Sequence, residues 1–296
     1  MPVGKIIKGV GGLYSVIDGE WLYLCSAKGI FRKDGITPLP GDEVRYEPDS
    51  LQQGYGSIHE IFERRSALVR PPVSNVDQLL IVVTLNAPPP DLLLVEKLIL
   101  SALTNNITPI LCINKSDLPM DDVLLEEMRG FEQAGFETVY TSVNETSAKE
   151  RLVKILTGKT TILAGQSGVG KSTLFNALLA RDHMEVGNMS RRIARGKHTT
   201  RHVELVRLVC GGYLVDSPGF SAFEFKVENY RELDLCYPEF APYLGDCRFK
   251  ECSHIHEPEC AVLEARRAGK LHDGRYRRYI ELYRTYQTAH EKRYRH

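Results

Sequence analysis

The chain has 296 residues, with 38 basic and 38 acidic side chains and 43% hydrophobic residues. This composition is typical of a globular protein of two or three domains and excludes a disordered or fibrous chain. The longest apolar run, Leu79–Val83, has five residues, far fewer than the ~20 that a membrane helix needs. Since the N-terminus also lacks a signal-peptide pattern, we expect a cytoplasmic protein with no membrane partner.

Charge and cysteine are distributed unevenly along the chain. Residues 261–296 contain ten basic and four acidic side chains, whereas the remainder is slightly acidic. A basic segment at one end predicts local contact with a polyanion. Three of the seven cysteines lie between positions 247 and 260. An odd cysteine count without a secretion signal favours reduced thiols and a metal site over disulfides.

Residues 1–68 predict a small β-barrel. Short strands separated by glycine-containing turn signals are predicted at Lys5–Val10, Tyr14–Asp18, Trp21–Ala27, Asp42–Glu47 and Ser57–Glu63. Five strands in so short a segment suit an OB-fold. Another small barrel without a binding role stays open, because fold alone does not decide function.

Residues 69–225 predict an α/β domain with a doubly wound, mostly parallel sheet. Arg70-Pro71-Pro72 marks its start, because consecutive prolines favour an extended link. Buried strands are predicted at Gln78–Leu85, Thr108–Ile113, Thr138–Val143, Thr160–Ala164 and Tyr213–Val215. Helices are predicted between them at Asp91–Thr104, Asp121–Ala134, Ser147–Leu156 and Ser172–Ala180. This alternation is typical of helices covering both faces of a parallel sheet.

Two motifs follow the second and third of these strands and predict a guanine pocket. Asn114-Lys115-Ser116-Asp117 offers a carboxylate, Asp117, that can accept hydrogen bonds from N1–H and N2–H of guanine. Adenine lacks the 2-amino group and would leave that carboxylate unpaired. Thr141–Asn144 ends the next strand, where Ser142 and a backbone N–H would support the base; an ordinary helix cap is the alternative there.

A third motif predicts a phosphate-binding loop. Gly165-Gln166-Ser167-Gly168-Val169-Gly170-Lys171-Ser172 fits the pattern GxxxxGK[ST] and lies between a predicted strand and a predicted helix. Backbone N–H groups would wrap the phosphates, Lys171 would face the β and γ oxygens, and Ser172 would bind Mg²⁺. Thr173, the next residue, belongs to the same predicted nucleotide-binding set.

A fourth motif, Asp216-Ser217-Pro218-Gly219, follows the last predicted strand. Its aspartate can hold Mg²⁺ through water, and the Gly219 N–H can meet the γ-phosphate. Such a pattern alone is usually only a turn. A phosphate-binding loop in the same sheet makes the nucleotide interpretation the better one.

Residues 226–296 predict a zinc-binding, mostly helical module. Cys247, Cys252, His254 and Cys260 supply three thiolates and an imidazole, the donors of one closed structural Zn²⁺ site; His256 is a second candidate ligand. Tyr276, Tyr279, Tyr283 and Tyr286 fall on one face of the last predicted helix. We expect this stripe to pack against the α/β domain, leaving the neighbouring arginines for phosphate contact: Arg275, Arg277, Arg278 and Arg284.

The order of the nucleotide motifs is unusual, because the base-reading motif precedes the phosphate-binding loop. A site needs residues adjacent in space, and circular permutation preserves that adjacency. The whole chain resembles the RsgA (YjeQ) family of circularly permuted P-loop GTPases. The resemblance rests on this motif order, on the N-terminal barrel and on the cysteine motif. The resemblance implies GTP hydrolysis to GDP and phosphate, with Mg²⁺, on the 30S ribosomal subunit and its 16S rRNA during late maturation. It also implies release after hydrolysis and selects His254 over His256.

The resemblance further assigns two residues between the phosphate-binding loop and Asp216. Thr200, in preference to Thr199, would bind Mg²⁺ as the switch threonine. His198 would orient the attacking water, because Phe220 occupies the position after Gly219 where many GTPases carry a glutamine. We expect a monomer. Two alternatives stay open: a GTPase acting on another RNA such as tRNA, and an RNA-binding clamp that GTP switches.

Overall fold

The computed structural model describes residues 1–29, 31, 35–142, 144–185, 202–217 and 229–293 of the chain. The N-terminal strands are β1 (Val3–Val10), β2 (Leu13–Asp18), β3 (Trp21–Ala27), β4 (Glu43–Pro48) and β5 (Tyr55–Ile61). They pair in the order β1-β2-β3-β5-β4, and β4 returns to β1 and closes the barrel. Only the β3–β5 pair among them is parallel. This topology confirms the predicted OB-fold.

The second unit is a doubly wound sheet. Its strands are β8 (Gln78–Val83), β9 (Thr108–Asn114), β10 (Glu137–Thr141), β11 (Thr160–Ala164), β12 (Glu204–Arg207) and β13 (Tyr213–Asp216). They lie in the order β10-β9-β8-β11-β13-β12. All pairs are parallel except β12 with β13. The α/β prediction is confirmed, although β12 was not predicted. A short hairpin lies where the proline link was expected. Its two strands, β6 (Ala67–Leu68) and β7 (Val73–Ser74), have two residues each.

In the part of the chain that the structure describes, four helices cover the two faces of this sheet: α1 (Leu92–Thr104), α2 (Asp122–Gln133), α3 (Thr146–Leu156) and α4 (Lys171–Glu185). Every residue of the central strand β8 is buried. Alternate side chains of β8 point to opposite faces, so Leu79 and Ile81 pack in the cluster with α1 and α2. Leu80 and Val82 pack in the cluster with α3 and α4. Burial on both faces explains the unbroken apolar run Leu79–Val83 within this strand.

The barrel and the α/β sheet are joined edge to edge. β1 pairs with β12 in antiparallel register, with Lys8 opposite Glu204, and produces one eleven-stranded sheet. Lys8 Nζ donates to Glu204 Oε2 at 2.7 Å, and Arg207 donates to the carbonyl of Gly19 at 2.7 Å. Strand β12, which follows His198 and Thr200 in the sequence, is therefore bonded directly to the barrel.

The C-terminal module contains two 3-10 helices, Tyr230–Cys236 and Pro238–Tyr243, followed by α5 (Ala261–Arg267) and α6 (Asp273–Arg293). Tyr276 and Tyr279 are each 1% exposed and pack in an aromatic core with Phe240. Their hydroxyls donate to the carbonyls of His254 and Ser253 at 2.6 and 2.8 Å. The expectation that the stripe packs was right, but its partners are mainly the metal-site loop and the 3-10 helices of the same module.

Two arginines beside this stripe face the α/β domain instead of solvent. Arg275 is 1% exposed and donates to Glu96 of α1 at 2.7 Å and to Glu239 at 2.6 and 3.0 Å. Arg278 donates to the other oxygen of Glu96 at 3.0 Å and to Glu127 of α2 at 2.6 Å. The expectation that both would contact RNA phosphate was wrong, because these side chains form a buried ion network between domains.

None of the helices in the described part of the chain is long and apolar enough to cross a membrane.

Candidate functional site

The motif-bearing loops converge at one edge of the α/β sheet. Strands β8, β9, β10, β11 and β13 are parallel, so their carboxyl ends lie together. Asn114 is the last residue of β9, Asp216 is the last residue of β13, and Gly165 follows β11 directly. Ligands of open α/β sheets bind at this edge, next to the point where strand order reverses.

Two glycines of the phosphate-binding loop are required by their backbone angles and by close neighbouring atoms. Gly165 has φ +132°, and a Cβ there would lie 2.2 Å from the carbonyl oxygen of Val82. Gly170 has φ +94°, and a Cβ there would lie 2.5 Å from Nδ2 of Asn114. Only glycine fits both the left-handed backbone and the space.

The ammonium group of the lysine in this loop is hydrogen-bonded to backbone carbonyls of the same loop. Lys171 Nζ donates to the carbonyls of Gly165 and Gln166 at 2.7 and 2.8 Å. Burial lowers the pKa of Lys171, since removing the ammonium from water disfavours its charged form. An anionic phosphate beside it would favour the charged form and accept a strong hydrogen bond from it.

The base-reading loop is fastened directly onto the phosphate-binding loop. Asn114 Nδ2 donates to the carbonyl of Val169 at 2.9 Å, and Thr141 Oγ1 donates to Asn114 Oδ1 at 3.3 Å. Lys115 has φ +60°, and its Nζ donates to the carbonyl of Ala87 at 2.8 Å. Because these bonds fix the two loops relative to each other, a base and its phosphates would be bound at a set separation.

Asp117 lies exposed at the end of the base-reading loop, where it can face a ligand. Its Oδ2 accepts a hydrogen bond from Nδ2 of Asn144 at 2.8 Å. Hydrogen bonds from Asn144 and then Ser142 lower the pKa of Asp117, because they stabilise its carboxylate form. The backbone N–H of Asn144 donates to Ser142 Oγ at 3.0 Å. Sequence reasoning placed Ser142 here but did not identify the side chain of Asn144.

The predicted Mg²⁺ ligands are only partly described. Ser172 and Thr173 are exposed at the start of α4, and Asp216 is half-buried at the end of β13. A hydroxyl and a carboxylate are the oxygen donors that Mg²⁺ prefers. His198, Thr200 and Gly219 lie outside the described residues.

One contact to the phosphate-binding loop was not predicted. Gln166 Oε1 accepts a hydrogen bond at 3.0 Å from the backbone N–H of Asp91, the residue that caps α1. The same helix carries Glu96, the buried carboxylate that binds the C-terminal arginines. The sequence pattern does not predict this contact, because Gln166 and Asp91 lie 75 positions apart along the chain.

The four predicted metal ligands come together in the C-terminal module. The donor atoms of Cys247, Cys252, His254 and Cys260 all lie within 4.8 Å of one another. Cys247 Sγ lies 3.8 Å from Cys260 Sγ and 3.6 Å from His254 Nδ1. A tetrahedron with Zn–S bonds of about 2.3 Å has S–S edges of about 3.8 Å. The donors therefore fit a tetrahedral metal ion, and His256 is exposed outside the cluster.

A second layer of polar groups orients this cluster. Asp234 Oδ2 lies 3.2 Å from Nε2 of His254, on the ring edge opposite the cluster. Glu257 accepts hydrogen bonds from the backbone N–H groups of Ser253, Ile255 and His256. Burial opposes the charge of Glu257, but these bonds and the Ser253 hydroxyl lower its pKa to about 2. Sequence spacing revealed neither carboxylate as part of the site.

Comparison with known proteins covers nearly the whole chain. The family model described as RsgA GTPase matches residues 61–226, and that of the RsgA N-terminal domain matches residues 3–55. A small ribosomal subunit biogenesis GTPase RsgA from Ruminiclostridium cellulolyticum is 46% identical over 286 residues, covering 96% of this chain and 93% of the relative. The protein of the same description from Bacillus velezensis is 40% identical over 288 residues, covering 95% and 96%.

Two solved structures share the complete architecture. The crystal structure of YloQ, a circularly permuted GTPase, matches with a TM-score of 0.82 and 35% identity, covering 98% of this chain and 96% of that chain. The structure of YjeQ from Thermotoga maritima matches with a TM-score of 0.80 and 32% identity, covering 96% and 97%. These matches confirm the fold prediction, including the permuted order of the motifs.

Proposed function

The chain belongs to the RsgA family of GTPases, and we propose that it hydrolyses GTP at the carboxyl edge of its α/β sheet while acting on the small ribosomal subunit. One observation carries the nucleotide assignment: the Asn114 amide bonds the Val169 carbonyl, which ties a base-reading loop to a phosphate-binding loop. That bond brings the two loops next to each other in space, although they are separated and in permuted order along the sequence.

The reaction transfers the γ-phosphoryl group to water, so the protein's task is positioning and charge stabilisation. Lys171 and the loop amides would hold the β and γ oxygens. When bound, Mg²⁺ neutralises charge on these oxygens, and Ser172, Thr200 and Asp216 are its proposed ligands, directly or through water. His198 would orient the attacking water, and the Gly219 N–H would meet the γ-phosphate.

Guanine selectivity follows from Asp117. Asp117→Asn exchanges an acceptor for a donor and should weaken GTP relative to xanthosine triphosphate, whose 2-oxo group replaces the 2-amino group. The measurement is competition of each nucleotide with a fluorescent GDP analogue. An unchanged preference for GTP over XTP and ATP would remove Asp117 from the pocket.

The proposed partner is the 30S subunit with its 16S rRNA, as the names of the relatives suggest. Exposed basic side chains on α6 suit RNA phosphate: Arg277 is 70% exposed, and Arg284 and Lys292 are also exposed. The buried Arg275 and Arg278 are not available for it. A cytoplasmic location and a monomeric state stay predictions that accompany this partner.

The test of the partner is the GTPase rate with purified 30S subunits, 50S subunits or tRNA, together with salt-dependent co-sedimentation. We expect stimulation by 30S subunits alone, and binding that weakens as salt rises because phosphate contacts release counterions. Stimulation by tRNA would support the alternative RNA substrate. Binding without stimulation by any RNA would favour a GTP-switched clamp.

For the cysteine–histidine cluster we propose one structural Zn²⁺ per chain. Three thiolates and an imidazole complete a four-coordinate site, so no position is left for a catalytic water. Metal analysis of the purified chain, with one zinc per chain expected, tests the proposal.

A further inference from the structure

We propose that Asn144 is a specificity-determining residue: it fixes the Asp117 carboxylate in the orientation that reads guanine, an inference that rests on the proposed GTP site. The amide nitrogen of Asn144 lies 2.8 Å from Asp117 Oδ2. The two residues are 27 positions apart and lie beyond the ends of β9 and β10, which are neighbouring strands. The contact therefore forms because the two strands are neighbours in the sheet, and not because of a local turn.

The carboxylate needs such a partner because it is exposed. To accept N1–H and N2–H together, both oxygens must lie near the plane of the guanine ring, whereas an unrestrained aspartate samples several side-chain rotamers. Fixing one oxygen reduces the entropy that binding must remove. Each carboxylate oxygen carries two lone pairs, so Oδ2 can accept from Asn144 and from guanine at once.

Asn144 is itself held in place by buried structure. Its backbone N–H donates to Oγ of Ser142 at 3.0 Å, and Ser142 is only 1% exposed at the end of β10. Asparagine at a helix start commonly caps the helix with its side chain. Yet the cap residue of α3 is Glu145, and within the described residues no side-chain hydrogen bond caps that helix. The Asn144 amide is directed to Asp117 instead.

The chemistry of the donor also matters. A neutral amide leaves the negative charge of Asp117 available to the two N–H groups of the base. A carboxylate at position 144 would repel Asp117 and turn it away. Asn144→Asp is almost isosteric and retains the backbone bond to Ser142, so it tests the donor separately from the shape of the loop.

The experiment measures GDP and IDP affinities of the full-length chain by calorimetry. IDP lacks the 2-amino group and offers one hydrogen bond to the carboxylate where GDP offers two. Asn144→Ala should weaken GDP about tenfold, the order of one hydrogen bond to a charged group, but IDP much less, so the GDP/IDP affinity ratio falls. Asn144→Asp should lower that ratio further. Glu145→Ala, at the adjacent exposed residue, is the matched control and should keep it.

The outcomes separate this inference from the site assignment. If Asp117→Asn shifts preference to xanthosine nucleotides while both Asn144 variants keep the GDP/IDP ratio of Glu145→Ala, the role of Asn144 is refuted and the GTP site stands. If Asp117→Asn leaves the preference for guanine intact, the site assignment fails and the inference fails with it. A GDP/IDP ratio that falls in both Asn144 variants, with no further fall when Asn144→Ala is added to Asp117→Asn, supports the coupling.

Discussion

Replacing Glu96 by glutamine should loosen the C-terminal module from the α/β domain. Glu96 is fully buried in α1 and accepts hydrogen bonds from Arg275 at 2.7 Å and Arg278 at 3.0 Å. Glutamine preserves the side-chain volume, so no cavity forms. It removes the negative charge and turns one acceptor into an NH₂ group that faces a guanidinium donor.

The magnitude follows from what each arginine retains. Removing one partner of a buried ion pair costs about 3–5 kcal/mol. Arg275 keeps Glu239 and Arg278 keeps Glu127, so we take the lower value of about 3 kcal/mol. At 1.4 kcal/mol per factor of ten, this corresponds to roughly hundredfold faster exchange of those α6 amides that exchange through an opening equilibrium of the module.

Hydrogen exchange followed by mass spectrometry of peptides from residues 273–293 measures this change, with barrel peptides as the internal reference. The matched control is Glu126→Gln, which removes an exposed pair with Arg129 whose contribution is about 0.5 kcal/mol or less. Exchange in α6 that is equal in the two variants would show that apolar packing, and not the ion network, holds the module.

Three further predictions concern the metal and the reaction. Cys252→Ala should lose the bound metal by elemental analysis while retaining GTP binding, and Cys210→Ala, outside the cluster, should keep it; stoichiometric metal in Cys252→Ala would disprove the ligand set. Asp234→Ala should weaken zinc binding about tenfold or more against a competing chelator, the scale of a lost outer partner of a ligand histidine, and unchanged zinc affinity would exclude that role. His198→Ala should keep GTP affinity and 30S binding within a few-fold but lose about a hundredfold or more of the 30S-stimulated rate. Normal stimulated turnover in that variant would assign water positioning to another group.

The nucleotide and metal motifs were predictable because each is short and chemically constrained. A loop that wraps phosphates needs glycine where Gly165 and Gly170 lie, since both the backbone angle and the neighbouring atoms exclude a Cβ. Closely spaced cysteines with a histidine likewise carry their donor set in one stretch of chain. Strand β8 was predictable because a strand buried on both faces is apolar along most of its length, as in the run Leu79–Val83.

The same sequence could not reveal partners that lie far apart along the chain. From their positions in a basic segment, Arg275 and Arg278 were predicted to lie on an exposed basic surface. In the structure, α6 is oriented so that both side chains contact Glu96. The helical period indicates which residues share a face, not which element covers that face.

The sequence by itself determined where the motif residues of the two proposed sites lie along the chain and how strands and helices alternate, because local backbone and donor chemistry restrict the residues at those positions. Only the tertiary structure decided that β12 joins the barrel through β1, that Asn144 meets Asp117, and that Asp234 meets His254. These contacts depend on where the closed barrel, the sheet order and the packed helices place side chains from separate segments. A pattern of residue types along the sequence does not give the distances between side chains of separate segments.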